Sequence, residues 1–160
     1  MFASFLTNAS LEPAALRALL EESRGELYTA RSQRTPPLRD DKILAEWNGL
    51  MISAWARGAQ VLGEEPWLET ARRAAEFIAR ELYDETRGVL YRSWRGTRST
   101  SEGFAEDYAC CVQGLLDLYE ATFELRWLRW AERLQATMDR LFWDEAAGGY
   151  FNSAVGAADI

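Results

Sequence analysis

Apolar residues recur along this chain with a helical period in five separate stretches, and each stretch predicts a helix. Leu16, Leu19, Leu20 and Leu27 mark the first. It starts near Pro13, a residue suited to a first helical turn, and ends before the extended Thr35-Pro36-Pro37. The second runs from Asp41 to Leu62 and is apolar nearly all round, with Ile43, Leu44, Trp47, Leu50, Met51, Ile52 and Trp55 spread over its circumference. A helix of that kind is buried on most sides. The third, Pro66 to Tyr83, carries one apolar stripe (Trp67, Leu68, Ala71, Ala75, Ile78, Leu82) opposite Glu69, Arg72, Arg73, Glu76 and Arg80, the pattern of an outer helix with a wet face. The fourth, Ala105 to Phe123, is again apolar except for one narrow stripe of Gln113, Asp117 and Glu120. The fifth, Arg126 to Trp143, repeats the outer pattern. Residues 88 to 95 read as a short extended element after the Arg87-Gly88 turn, and residues 99 to 103 as a polar loop.

The order inner, outer, inner, outer is a repeat. Trp67-Leu68 returns as Trp127-Leu128, and Tyr83-Asp84 returns at the same offset as Trp143-Asp144. Gly49-Leu50 and Gly114-Leu115 read as a further pair at matching places, with the glycines allowing close helix approach. The expected fold is all-α: helical hairpins, about two and a half of them, with short extended turns between. Such an arc leaves apolar surface at both ends, because each inner helix needs a neighbour on either side.

Composition narrows the partners. A net charge of −7 and a pI near 4.8 argue against nucleic acid and against an anionic membrane face. No run of about 18 apolar residues is present to cross a bilayer. Met1 to Ala9 is apolar but lacks the basic start of a signal peptide, so a cytoplasmic location is expected. There is no histidine, which removes the commonest general base and the commonest nitrogen ligand for zinc. Cys110 and Cys111 are adjacent and read as two small buried thiols. No metal and no cofactor are expected.

Chemistry must then rest on carboxylates and their neighbours. Asp40-Asp41-Lys42 stands at the expected start of the second helix, and Glu106-Asp107-Tyr108 at that of the fourth. Two readings stand. Acids at helix N-termini cap free N–H groups and meet the positive end of the dipole. Alternatively, paired acids at one mouth of a helical toroid act as general acid and base. On the second reading Asp41, Glu106 and Asp107 are the catalytic candidates. Lys42, Trp47, Asn48, Trp94 and Tyr108 are the ligand-binding ones. Lys42, the sole lysine, and Asn48 would bind hydroxyls or carboxylates, and Tyr108 would form a hydrogen-bonding wall. Asn48 reads equally as a structural hydrogen bond between hairpins, and the aromatics equally as core. Trp94, near a loop, is the best exception.

Leu38 through Leu44, Trp47-Asn48-Gly49-Leu50-Met51, Gly103-Phe104 with Glu106-Asp107-Tyr108-Ala109, Gly114 through Ala121, Arg140 through Asp144 and Gly148-Gly149-Tyr150-Phe151 form an ordered set. Together they resemble the spermatogenesis-associated, thioredoxin-domain-containing protein family, over residues 12 to 154 or so. The resemblance implies an (α/α)6 toroid similar to the N-acylglucosamine 2-epimerase and six-hairpin glycosidase group, of which this chain is a middle part. It implies the domain 12–154, with flexible ends at 1–11 and 155–160. A sugar-like small molecule is the implied ligand, to be bound, isomerised or hydrolysed by a longer parent, while this chain alone is expected to be catalytically silent. The epimerases' histidine acid and base match nothing here, so those roles do not carry over. Glu46 departs from the pattern by placing a charge before Trp47 where a small residue is expected. Cys110-Cys111 matches no redox motif of the family. The rival reading is a non-enzymatic helical-repeat scaffold whose inner faces or open ends bind a protein or a second copy.

Overall fold

Proline at the first turn and the leucine spacing set α1, Pro13–Ser32, as predicted. The computed structural model describes residues 12–154. The ends expected to be flexible, 1–11 and 155–160, lie outside the described residues. The chain divides into two compact units, Met1–Asp40, which holds α1, and Asp41–Ile160, which holds the repeat.

The second unit is built from two hairpins. The first pairs α2 (Ala45–Leu62) with α3 (Glu65–Phe77), which ends in a wider π turn, Ile78–Leu82. The second pairs α4 (Ala105–Thr122) with α5 (Leu125–Phe142). Short ladders lie around them: β1 (Ile43–Leu44), β2 (Tyr83–Asp84), β3 (Val89–Leu90), β4 (Ser93–Trp94), β5 (Trp143–Asp144) and β6 (Gly149–Tyr150). β2 pairs with β3 and β5 with β6, each antiparallel across a glycine turn.

The repeat holds at the level of individual hydrogen bonds. Tyr91 N–H donates to the Leu82 carbonyl and Phe151 N–H to that of Phe142, both at 2.8 Å. Ala45 N–H donates to Arg92 and Ala105 N–H to Asn152. The Asp84 carboxylate accepts from Thr86 and Arg87 N–H as Asp144 accepts from Ala146 and Ala147 N–H. Every one of these pairs is related by sixty positions.

That register corrects two expectations. The second helix begins at Ala45, not Asp41, because Ile43 and Leu44 are drawn into an antiparallel pair with Trp94 and Ser93. Gly49 and Gly114 are also not repeat equivalents: Gly49 is in the second turn of α2, Gly114 in the third of α4. They meet instead. A Cβ on Gly49 would lie 2.5–2.6 Å from backbone atoms of Cys110 and Cys111, and one on Gly114 would lie 2.5 Å from the Gly49 carbonyl oxygen. The contacts Glu46–Asp107, Gly49–Gly114 and Ser53–Asp117 run in the same sense along both helices, so α2 and α4 are parallel.

Each outer helix backs its own inner helix. Ile52, Ala56, Leu68, Ala71 and Ala75 bury together in the first hairpin, and Leu115, Leu118, Ala131 and Leu134 in the second. The hairpins are tied behind the inner pair as well: Thr137 donates to the Gly88 carbonyl at 2.9 Å, and Arg72 on α3 reaches Glu124 before α5 at 2.9 Å.

The two hairpin turns differ in one respect. α2 ends on Gly63 at φ 72°, and α4 ends at the equivalent place on Phe123 at φ 55°. Left-handed backbone disfavours a side chain, and Phe123 is exposed, with only an edge contact to Tyr119 at 6.3 Å. Phe123→Gly is therefore expected to stabilise the protein by about 1 kcal/mol, read by chemical denaturation. A loss of stability would show that the Tyr119 contact outweighs the backbone strain.

Candidate functional site

The parallel starts of α2 and α4 bring one group of polar side chains together. Asp107, in the first turn of α4, is at its centre and is 0% exposed. One carboxylate oxygen accepts the N–H of Phe104 at 2.9 Å, capping its own helix. The other accepts the N–H of Glu46 at 3.0 Å, capping the neighbouring one. Arg92 adds a third donor at 3.3 Å. Four N–H groups at each helix start lack intrahelical partners, so one buried carboxylate here serves two helices. Burial pushes the Asp107 pKa above the usual carboxylate value, while the Phe104 and Glu46 N–H groups and the charge of Arg92 pull it back.

Arg92 also binds Glu106 at 3.1 Å and stacks over the Phe104 ring, 4.6 Å from its centroid. The Glu106 side chain is 40% exposed, so it remains open to a ligand while Asp107 does not. Glu46, at the same second position of α2 that Glu106 holds in α4, is half-buried. Glu46 departs from the family pattern, yet the repeat accounts for it. The signal was present: aligning Ala45-Glu46 with Ala105-Glu106 at the sixty-residue register makes it the repeat partner of Glu106. Cys110 lies one turn further along, half-buried, and its thiol is pushed up by burial and then by Glu46, Asp107 and Glu106, which makes it a poor nucleophile. Cys111 is fully buried.

Below the mouth, Gln113, Asp117 and Glu120 continue the stripe on α4. Asp117 is buried and accepts a short hydrogen bond from Ser53 of α2. The stripe anticipated from the sequence is thus exposed at Gln113 and Glu120 and part of the helix joint at Asp117.

The remaining candidates are dispersed. Asp41 is exposed, outside any helix, and paired with Arg95 at 2.6 Å, so it caps nothing. Lys42 beside it is exposed. Asn48 donates to the carbonyl of Leu44, the residue just before its own helix, at 2.8 Å. Trp94 is half-buried, edge-on to Phe77 at 5.6 Å. Tyr108 is fully buried behind α4: its hydroxyl accepts the Leu90 N–H at 2.8 Å, and its ring meets Phe142. Burial pushes its pKa up to about 12, and it anchors the β2–β3 turn. Trp47 is 61% exposed. Among the described residues, no group of three or more His, Cys, Asp or Glu could hold a metal ion, and no helix is long and apolar enough to cross a membrane.

No family model matches the chain. It is 46% identical over 151 residues to human spermatogenesis-associated protein 20, covering 89% of this chain and 19% of that protein. The chain is a homologue of one segment of spermatogenesis-associated protein 20. An uncharacterized protein of Caenorhabditis elegans is 33% identical over 160 residues, covering 96% of this chain and 22% of that one. The chain thus spans about a fifth of the length of the curated relatives it matches. Among solved structures, cellobiose 2-epimerase from Bacillus thermoamylovorans matches with a TM-score of 0.64 at 22% identity, over 71% of this chain and 30% of that one. A GH76 α-mannanase from Bacteroides thetaiotaomicron matches with a TM-score of 0.64 at 15% identity, over 84% and 41%. These likenesses are of fold: the chain has the architecture of part of an (α/α) toroid.

Proposed function

We propose that the chain forms part of the wall of a carbohydrate-binding cavity in a toroid of this kind. The observation that carries the reading is the repeated carboxylate. Glu46 and Glu106 occupy the same second position of two parallel inner helices, and Arg92 and Asp107 join their surroundings. Carboxylates and a guanidinium at a mouth, with the Gln113 amide below, are the donors and acceptors that polyhydroxylated ligands need. The solved neighbours named as an epimerase and a mannanase are consistent with such a ligand.

In this reading Glu106 binds the ligand directly, Glu46 is its second carboxylate, and Asp107 holds both helix starts in place. Trp47, Asp41 and Lys42 are candidates for the rim. The acid and base groups that this segment itself could lend to an isomerising or hydrolytic step are its carboxylates. Two hairpins enclose only part of such a cavity, so turnover by the chain alone is expected to be nil.

The test is NMR titration of the chain with cellobiose and mannobiose. Shifts should localise to Glu46, Glu106 and Gln113, and Glu106→Gln should weaken binding about tenfold, roughly 1.4 kcal/mol. Shifts confined to exposed tryptophans, or none, would sink the reading. A non-enzymatic scaffold is the second reading, favoured by the exposed apolar stripe of Trp47, Leu50 and Met51 on α2.

A further inference from the structure

Glu76, Arg80 and Tyr83 follow one another at helical spacing along the end of α3 and its π turn, and Arg126, Trp130 and Arg133 do the same along α5. These two stripes line one cavity between the outer helices, with a volume of about 370 Å³. That is the size of a small-molecule site. It shares no residue with the inner mouth. Both of its walls come from consecutive hairpins of this chain, so it does not wait on further hairpins of a longer parent.

The walls are aromatic. Tyr83 meets Trp130 edge-on at 5.6 Å, and Trp127 shares the lining, with Arg126 stacked 4.0 Å from its ring centroid. Trp127 and Trp130 are 3% and 5% exposed, and neither indole N–H has an acceptor among the described residues. A buried N–H without an acceptor forfeits its hydration for nothing in return, and two of them at one cavity need an explanation. The repeat supplies a control. Sixty positions before Trp130 stands Thr70, whose hydroxyl is satisfied by the Pro66 carbonyl at 2.9 Å, so the hairpin itself does not require an indole there.

The charges at the rim differ in what already occupies them. Arg126 crosses the cleft to Glu76 at 3.1 Å and also holds Glu124 at 2.8 Å. Arg80 is bound to Glu81 at 2.7 Å. Arg133 is exposed and makes no ion pair among the described residues. A guanidinium fork matches a carboxylate with two parallel hydrogen bonds. Glu85, exposed at the same rim, sets a negative charge there that disfavours a dianion such as a phosphate ester.

We propose that this outer cleft binds a small aromatic carboxylate. Its ring lies among Tyr83, Trp127 and Trp130, its carboxylate pairs with Arg133, and its oxygens supply the acceptor that the indoles lack. Both indole nitrogens are closed to solvent, so the rim side chains part as the ligand enters. The proposal does not depend on the carbohydrate reading, whose residues are on the inner helices.

Benzoate tests it, titrated into the intact chain labelled with nitrogen-15 and followed through the indole N–H signals. Trp127→Phe and Trp130→Phe identify two of the seven tryptophan signals. The expected result is a saturable shift of those two. Benzamide, the uncharged counterpart, should bind about tenfold more weakly, and Arg133→Gln, at an exposed position, should lower benzoate affinity about tenfold with circular dichroism unchanged. Equal affinity for benzamide, or an Arg133→Gln variant that binds as well as wild type, overturns the proposal because the carboxylate contact is then absent. Inorganic phosphate moving the same signals at comparable affinity overturns it as well, because the aromatic walls then contribute nothing. If neither signal moves, the cleft is no such site, and water or a segment of a longer parent is the acceptor instead.

Discussion

Asp107→Ala is expected to destabilise the second unit by about 3–5 kcal/mol, the cost of breaking a buried charge pair from one side. The loss compounds three effects. Phe104 N–H and Glu46 N–H are left without acceptors at two part-buried helix starts, and Arg92 loses a partner it holds at 3.3 Å. Against a total stability of roughly 5–15 kcal/mol this is a large fraction. Asp107→Asn should fall between wild type and alanine. Its amide oxygen can accept on one side, but its amino group must face either an N–H or a guanidinium on the other. Denaturant titration of the three proteins gives the order directly. A cost below about 1 kcal/mol for the alanine variant would mean that the carboxylate does not hold α2 in place. The order also bears on function, because a residue that positions Glu46 and Glu106 acts on any ligand through them.

Gly49→Ala should lower stability by about 2 kcal/mol, although alanine in place of glycine inside a helix ordinarily gains up to about 1 kcal/mol. The reversal comes from backbone, not from side chains. The added Cβ would meet the carbonyl carbon and oxygen of Cys110 and the nitrogen of Cys111 at 2.5–2.6 Å, and a helix backbone cannot swing aside as a side chain can. The two helices must separate, which lengthens the Glu46–Asp107 bond and opens the joint at Ser53–Asp117. Gly25→Ala in α1 is the contrasting case: nothing lies within 4 Å of its Cβ, so the ordinary gain is expected. If both substitutions stabilise, the close approach of α2 and α4 is wrong.

Much of the helical architecture is legible because helix formation reads out locally. Apolar spacing and turn residues place α1, α4 and α5 to within a residue or two of where they are found. The alternation of all-round apolar and striped helices assigns inner and outer roles before any contact is known. The site was less legible. Glu106 stands in the first turn of α4, as its position predicts, while Asp41 is displaced from the helix start by a β pairing that depends on Ser93 and Trp94, some fifty residues away. Tyr108 is one residue from Asp107, and neighbours on a helix point about 100° apart, so one turns toward α2 and the other toward the β2–β3 turn.

The sequence by itself determined the helical class and the two-fold repetition of a hairpin, because each depends only on residue type and spacing along the chain. Tertiary structure alone decided that Asp107 caps two helices at once and that Gly49 and Gly114 meet although they are out of register. Those outcomes depend on the rotation and crossing point of two parallel helices. A shift of one residue in either helix turns its side chains by about 100° and would exchange a buried clamp for an exposed acid.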